Sequence, residues 1–257
     1  MTVNLPSYYT SLPPFREIFS KGFPILTYHK IGKPPSGVRI RGLYLSVRLF
    51  RRQIGELCAA GFTTVPLAEP YRLPLSRDRY FALTFDDGFR SVFDLAMEPL
   101  AASGCRATLF VVADLIGRYN EWQVAAGDRQ ESLMDENQLL EWLAAGHQLG
   151  SHTCTHPWLT RLTPAVAREE ITSSKKKLED RFGVQIMHFC YPYGDWSPAV
   201  RDMVLEAGYV TACTTDFGVN TINTHPAELK RITARYRSRS LRQLKACVAK
   251  WWSAQTH

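Results

Sequence analysis

Short apolar runs alternate with longer stretches of helical spacing along most of the chain, and turn-forming residues separate the two kinds. FPILTY (23–28), FALTF (81–85), ATLFVVA (107–113), MHFCYP (187–192) and YVTACTT (209–215) read as buried strands. Residues 148–151 read as a shorter strand and ITARY (232–236) as the last one. Between them the spacing predicts helices. Ser46 is placed to cap a helix over 47–60, which Gly61 ends. A second follows over 91–102, with Pro99 expected to kink or shorten it. MDENQLLEWLAAG (134–146) is a third, capped helix. Thr163-Pro164 opens a long fourth helix to 182, with proline in the first turn where its missing N–H costs nothing. A fifth covers 197–207. Repeated strand–helix units with no linker or internal repeat predict an α/β fold with a parallel sheet, open or closed into a barrel. In either layout the functional residues belong at the C-terminal ends of the strands.

Composition narrows the class. At 257 residues, 45% hydrophobic and 21% charged, the chain can bury a core without staples. Its formal charge of +7 favours anionic partners without choosing among nucleic acid, lipid and acidic polymer. The six cysteines are scattered with no C-x-x-C pair and read as buried apolar residues. The opening MTVNLPSYYTSLPPFREIF lacks the basic start and apolar run of a secretory signal, and no stretch is apolar enough to span a bilayer. On these grounds a cytoplasmic location is expected.

Three segments carry the chemistry: LTFDDGF (83–89), SHTCTH (151–156) and CYPYGDW (190–196). An Asp-Asp-Gly turn alone is more often a polar turn than a site, and two histidines four apart are common by chance. Together they differ, because a carboxylate and two imidazoles just past strands are the donors that bind zinc or a similar divalent ion. Three protein ligands leave a position open, and the second carboxylate, Asp86, is free to act as a base.

With these motifs the sequence resembles the polysaccharide deacetylases of carbohydrate esterase family four. T-F-D-D-G at 84–88 is similar to that family's first motif and S-H-T-x-x-H at 151–156 to its second, and the likeness runs from about residue 23 to 236. The resemblance implies a distorted (β/α) barrel of about seven strands in a single domain, 23–257, behind an N-terminal extension, 1–22. It implies that Asp87, His152 and His156 hold a divalent metal, most readily Zn²⁺, and that Asp86 is the base. It places the oxyanion donor at the backbone N–H of Tyr193. The substrate implied is an N-acetylglucosamine-containing saccharide, from which acetate is released.

The third motif departs from the family's Arg-x-Pro-Tyr: this chain has Cys190-Tyr191-Pro192-Tyr193. The arginine that steadies the base is missing, and Arg231, just ahead of the last expected strand, is the candidate substitute; a solvated surface arginine is the competing reading. Cys154 and Cys190 are read as structural. The late histidines His225 and His257 lack the family's Leu-x-His setting. Instead FPILTYHKIG puts His29 at the end of the first strand, resembling the circularly permuted branch that deacetylates poly-N-acetylglucosamine. His29 is therefore expected to be the general acid, facing the metal from the side opposite Asp86.

SLRQLKACVAKWWSA (240–254) has helical apolar spacing beside Arg242, Lys245 and Lys250. It reads as a final helix docked on the barrel, with binding to an anionic membrane surface as the alternative. Two other classes compete with an enzyme: a catalytically weakened saccharide-binding relative, and a nucleic-acid or membrane binder using the positive charge. Intact ligands and base oppose the first, and no recognition motif supports the second.

Overall fold

The computed structural model describes residues 5–67 and 79–235. The 240–254 segment lies outside them. The strands are β1 (Ile25–Tyr28), β2 (Lys30–Ile31), β3 (Tyr44–Leu45), β4 (Phe62–Thr64), β5 (Arg79–Phe85), β6 (Thr108–Val111), β7 (Gln148–Ser151), β8 (His188–Cys190), β9 (Thr211–Phe217) and β10 (Leu229–Thr233). The helices are α1 (Arg16–Phe19), α2 (Val47–Ala59), α3 (Arg90–Ala102), α4 (Glu121–Ala125), α5 (Glu136–Ala144), α6 (Pro164–Phe182) and α7 (Pro198–Glu206).

The sheet is parallel and it closes. From β5 the pairing runs through β6, β7, β8, β9 and β10 to β1, and β1 returns to β5 with Tyr28 opposite Phe85. The result is a seven-strand barrel with helices outside, a single distorted (β/α) barrel domain, with β4 paired to the start of β5. Between β6 and β8 the wall is tight: a Cβ on Gly150 of β7 would lie 2.5 Å from the Phe110 ring, so glycine is required there.

The helices form where capping chemistry and apolar spacing agree. Ser46 accepts from the Leu49 N–H at the start of α2, whose buried face is Leu49, Phe50, Ile54 and Leu57. Asp135 and Gln138 make a reciprocal capping box on α5. Thr163 caps α6, and Gly183 ends it in the left-handed conformation. Pro99 does not stop α3, which continues to Ala102 with Pro99 on its buried face.

The last strand differs from expectation. It begins at Leu229 and ends at Thr233, so Arg231 lies inside it rather than ahead of it. The burial alternates, with Leu229 and Arg231 inside and Lys230 exposed. The expected strand begins one residue after Arg231, and the competing reading is a solvated surface arginine; instead Arg231 is a buried, inward position of the barrel. The early residues also pack into the core: Tyr9, Leu12, Phe15 and Phe19 are buried, and the Tyr9 N–H donates to Thr233 O at 2.9 Å. None of the described helices is long and apolar enough to cross a membrane.

Two buried histidines at the N-terminal ends of strands, away from the three motif segments, give the fold a pH dependence. Burial, helped by Arg106, lowers the His147 pKa from 6.5 to about 4, with Nδ1 accepting from the Ala107 N–H. Burial, helped by Lys175, does the same to His188, also to about 4. The unfolded chain takes up protons near pH 6.5 that the native state refuses until about 4. Stability is therefore complete above this window and falls as pH drops through it, by up to about 1.4 kcal/mol per pH unit for each histidine. Urea denaturation at pH 7 and pH 5 should show the loss, and His188→Asn should flatten the slope; an unchanged slope in that variant removes His188 from the account.

Candidate active site

The C-terminal ends of the strands bring the three segments together. Asp86 and Asp87 follow β5, His152 and His156 follow β7, Cys190 ends β8, and Tyr193 lies in the short turn after it. His29 follows β1, and Arg231 reaches up from within β10. Four residues of this rim that are not glycine hold positive φ: Asp87 (73°), Thr153 (68°), His156 (66°) and Tyr193 (60°). Each such conformation costs on the order of 1 kcal/mol and persists only where surrounding bonds enforce it. The bonds are visible around the second motif. Glu170 of α6 accepts from the Cys154 and Thr155 N–H groups at 2.9 and 3.0 Å, and Thr153 Oγ1 accepts from the His156 N–H at 2.9 Å.

Asp87, His152 and His156 are all buried and converge. Asp87 Oδ1 is 3.4 Å from His152 Nε2 and 3.3 Å from His156 Nε2. Ligands at about 2.05 Å from a tetrahedral ion stand about 3.3 Å from one another, so the spacing fits one such ion. His152 Nδ1 lies 2.7 Å from Cys190 O. Its proton belongs there, which leaves the Nε2 lone pair facing the cluster. Burial opposes ionisation of Asp87, but the two imidazoles beside it outweigh burial and hold the carboxyl well below its ordinary range. Trp122 of α4 stacks on the His156 ring at 4.4 Å and 19°. α4 is fixed by fully buried Lys30, whose ammonium donates to Gln123 at 2.9 Å and pairs with Glu131 at 2.6 Å.

Asp86 has a different partner. Arg231 donates to both its oxygens, at 2.7 and 2.8 Å, with both side chains almost wholly buried. The same guanidinium donates to Thr27 Oγ1 at 2.9 Å and to the Thr214 carbonyl at 2.8 Å. It lies 3.2 Å from Cys190 Sγ, so the cysteine stands against the arginine that arrives from β10. Burial would raise the Asp86 pKa, but the Arg231 charge, with His29 behind it, lowers it, and the group is ionised. Asp86, His152 and Cys190 are also close enough to share an ion. The guanidinium already on Asp86 and beside Cys190 makes that second trio unsuitable.

His29 is not opposite Asp86. Its Nε2 is 3.7 Å from Asp86 Oδ2, on the same side of the site. The reason is the register: Tyr28 pairs with Phe85, so the residues that follow them leave the barrel side by side. His225 lies in the loop before β10, its Nδ1 accepting from the Ala227 N–H. His29, Asp86, Asp87, His152, His156 and Arg231 line a pocket of about 270 Å³, which Ile40, Leu43, Trp122 and Ala126 wall on its apolar side. That apolar wall, Lys30 and Glu170 had no motif to announce them.

A model of the family described as polysaccharide deacetylase matches residues 76–212, more than half of the chain. Among known relatives, YxkH of Bacillus subtilis, itself provisionally named a polysaccharide deacetylase, is 28% identical over 200 residues, which cover 76% of this chain and 65% of that protein. Less than two thirds of that relative's length is thus spanned. The Streptococcus pyogenes deacetylase PplD, solved with acetate, has the same fold: TM-score 0.73, 22% identity, 87% of this chain and 97% of that one covered. IcaB from Ammonifex degensii superposes with TM-score 0.72 at 25% identity, covering 88% of this chain and 96% of that one. With the ligand cluster, the paired aspartates and the barrel in the order that these matches span, the chain belongs to the polysaccharide deacetylase family.

Proposed function

We propose that this protein hydrolyses the N-acetyl group of an N-acetylglucosamine-containing saccharide, giving acetate and a free amine. The observation that carries the reading is the pairing of two carboxylates with opposite surroundings at one pocket. Asp87 is bound to two imidazoles, while Asp86 is bound to a guanidinium. Neighbouring residues are thereby suited to different tasks, one as a ligand and the other as a base.

Asp87, His152 and His156 would hold a divalent ion, and their one oxygen and two nitrogens suit zinc. Such an ion supplies a Lewis acid that polarises the acetamide carbonyl and acidifies water. The chain's own groups do the rest. Asp86, kept ionised, accepts the proton of the attacking water. Arg231 fixes that carboxylate in one orientation. The Tyr193 N–H, set by a positive φ at the rim, faces the developing oxyanion. His29, beside Asp86 and partly exposed to the pocket, gives a proton to the departing amine nitrogen. The C–N bond breaks as that proton arrives, and the acetyl carbon keeps the water oxygen.

Acetate release from N-acetylglucosamine oligomers of different linkage, with and without added divalent metal, tests the reading; no release from any of them rejects it. Asp87→Ala should lose both metal, by elemental analysis, and turnover. Asp86→Asn should abolish turnover while metal content stays near that of the parent, and retained activity would remove Asp86 as base. His29→Ala should slow turnover by roughly 10²–10⁴, and full activity in that variant excludes the acid role. Arg231→Met leaves a buried carboxylate unpaired and should cost about 3–5 kcal/mol of stability by chemical denaturation.

A further inference from the structure

The two imidazoles beside Asp87 are held in different ways. His152 has a carbonyl at its far nitrogen, with Nδ1 2.7 Å from Cys190 O. The Nδ1 of His156 is buried and, among the described residues, meets no hydrogen-bond partner. An imidazole that faces an ion is ordinarily oriented by a hydrogen bond at its other ring nitrogen. The bond from the His156 N–H to Thr153 Oγ1 acts on the backbone and not on the ring. Other rings restrain the imidazole instead. Trp122 lies flat against one face at 4.4 Å and 19°, and Tyr193 meets it edge-on at 4.5 Å and 78°.

Trp122 depends in turn on distant residues. It sits in α4, five residues long, and a helix that short does not hold itself together in water. The segment around it is closed at its base by buried Asn120. Asn120 Oδ1 accepts from the Glu131 N–H at 2.6 Å, and its Nδ2 donates to the Arg129 carbonyl at 3.0 Å. Lys30 of β2 reaches into that segment. Its ammonium donates to Gln123, the neighbour of Trp122, at 2.9 Å and to Glu131 at 2.6 Å. It also lies over the Phe89 ring, 4.2 Å from the centre, and the Tyr44 hydroxyl donates to the other Glu131 oxygen. A lysine with no exposed surface is a costly way to fill space, since a buried ion pair adds little stability that packed apolar residues would not. What its bonds do supply is direction, because they fix where Gln123, and with it Trp122, can stand.

We propose that Trp122 holds the His156 imidazole in place of a hydrogen bond, and that Lys30 is a positioning residue that acts on this ring through Trp122. This rests on the metal-binding reading above and deepens it. One of the two imidazoles is set by a backbone carbonyl, the other by a stacked indole whose place is fixed from β2.

The test is zinc affinity, measured by competition with a chromophoric chelator in chains first shown to be folded by urea denaturation. Trp122→Ala should weaken binding by roughly 10–100-fold, the usual effect of removing a group that orients a ligand. Trp122→Phe, which keeps a ring on His156, should recover most of that loss. Lys30→Met should cost roughly tenfold in the parent. It should cost nothing further in the Trp122→Ala chain, because residues acting through one contact are not additive. If Lys30→Met does not fold, Glu131→Gln carries the same comparison with the shape of the side chain kept. Losses that add across the two sites, or a Trp122→Ala chain with the affinity of the parent, overturn the proposal and leave the metal reading standing. A parent that binds no zinc rejects both.

Discussion

The site depends on one buried ion pair. Removing Asp86 and Arg231 from water carries a large desolvation penalty, which their attraction offsets only if the geometry is good and the remaining donors are satisfied. Both conditions hold. Two parallel N–H···O contacts join the pair, and the other guanidinium N–H groups are taken by Thr27 and the Thr214 carbonyl. One side chain on β10 is thereby tied to β1, β5 and β9, with Cys190 of β8 alongside. The pair keeps Asp86 ionised, and the same bonds cross-link the strands whose ends carry His29, Asp86, Asp87 and Cys190.

Around that pair the backbone is held in conformations that free residues avoid. Asp87, His156 and Tyr193 all have positive φ, and each presents its side chain or amide to the pocket. The enforcing contacts are ordinary ones, such as Glu170 gathering the N–H groups of the second motif and Trp122 stacked on His156. Strain at the rim is balanced by order beneath it, in the closed sheet and the capped helices.

Much of this was legible in the sequence. The alternation of apolar runs and helical spacing predicted the strand–helix units, and Ser46, Asp135 and Thr163 mark helix starts through their own side-chain bonds. The clustering of Asp87, His152 and His156 could be read because they sit in two compact motifs. What stayed hidden depends on contacts between distant segments. The position of His29 relative to Asp86 follows from a strand register that spacing does not encode. Arg231 was found as a candidate only because a cation was missing elsewhere, and its place inside β10 shows in burial, not in composition. Trp122 and Lys30 act through packing on other segments, which no local pattern reports.

Arg231 and Asp86 are separated by 145 positions in the chain, and the last strand of the ring supplies the cation. During synthesis the two acidic residues, the histidines and most of the wall leave the ribosome first. Until β10 inserts, Asp86 has no counter-charge and the barrel has a gap between β1 and β9. A partly made or shortened chain would therefore carry the Asp87, His152 and His156 cluster with Asp86 unpaired. With the base role proposed for Asp86, chemical competence arrives together with closure of the ring, and a premature stop upstream of β10 would yield an inert product.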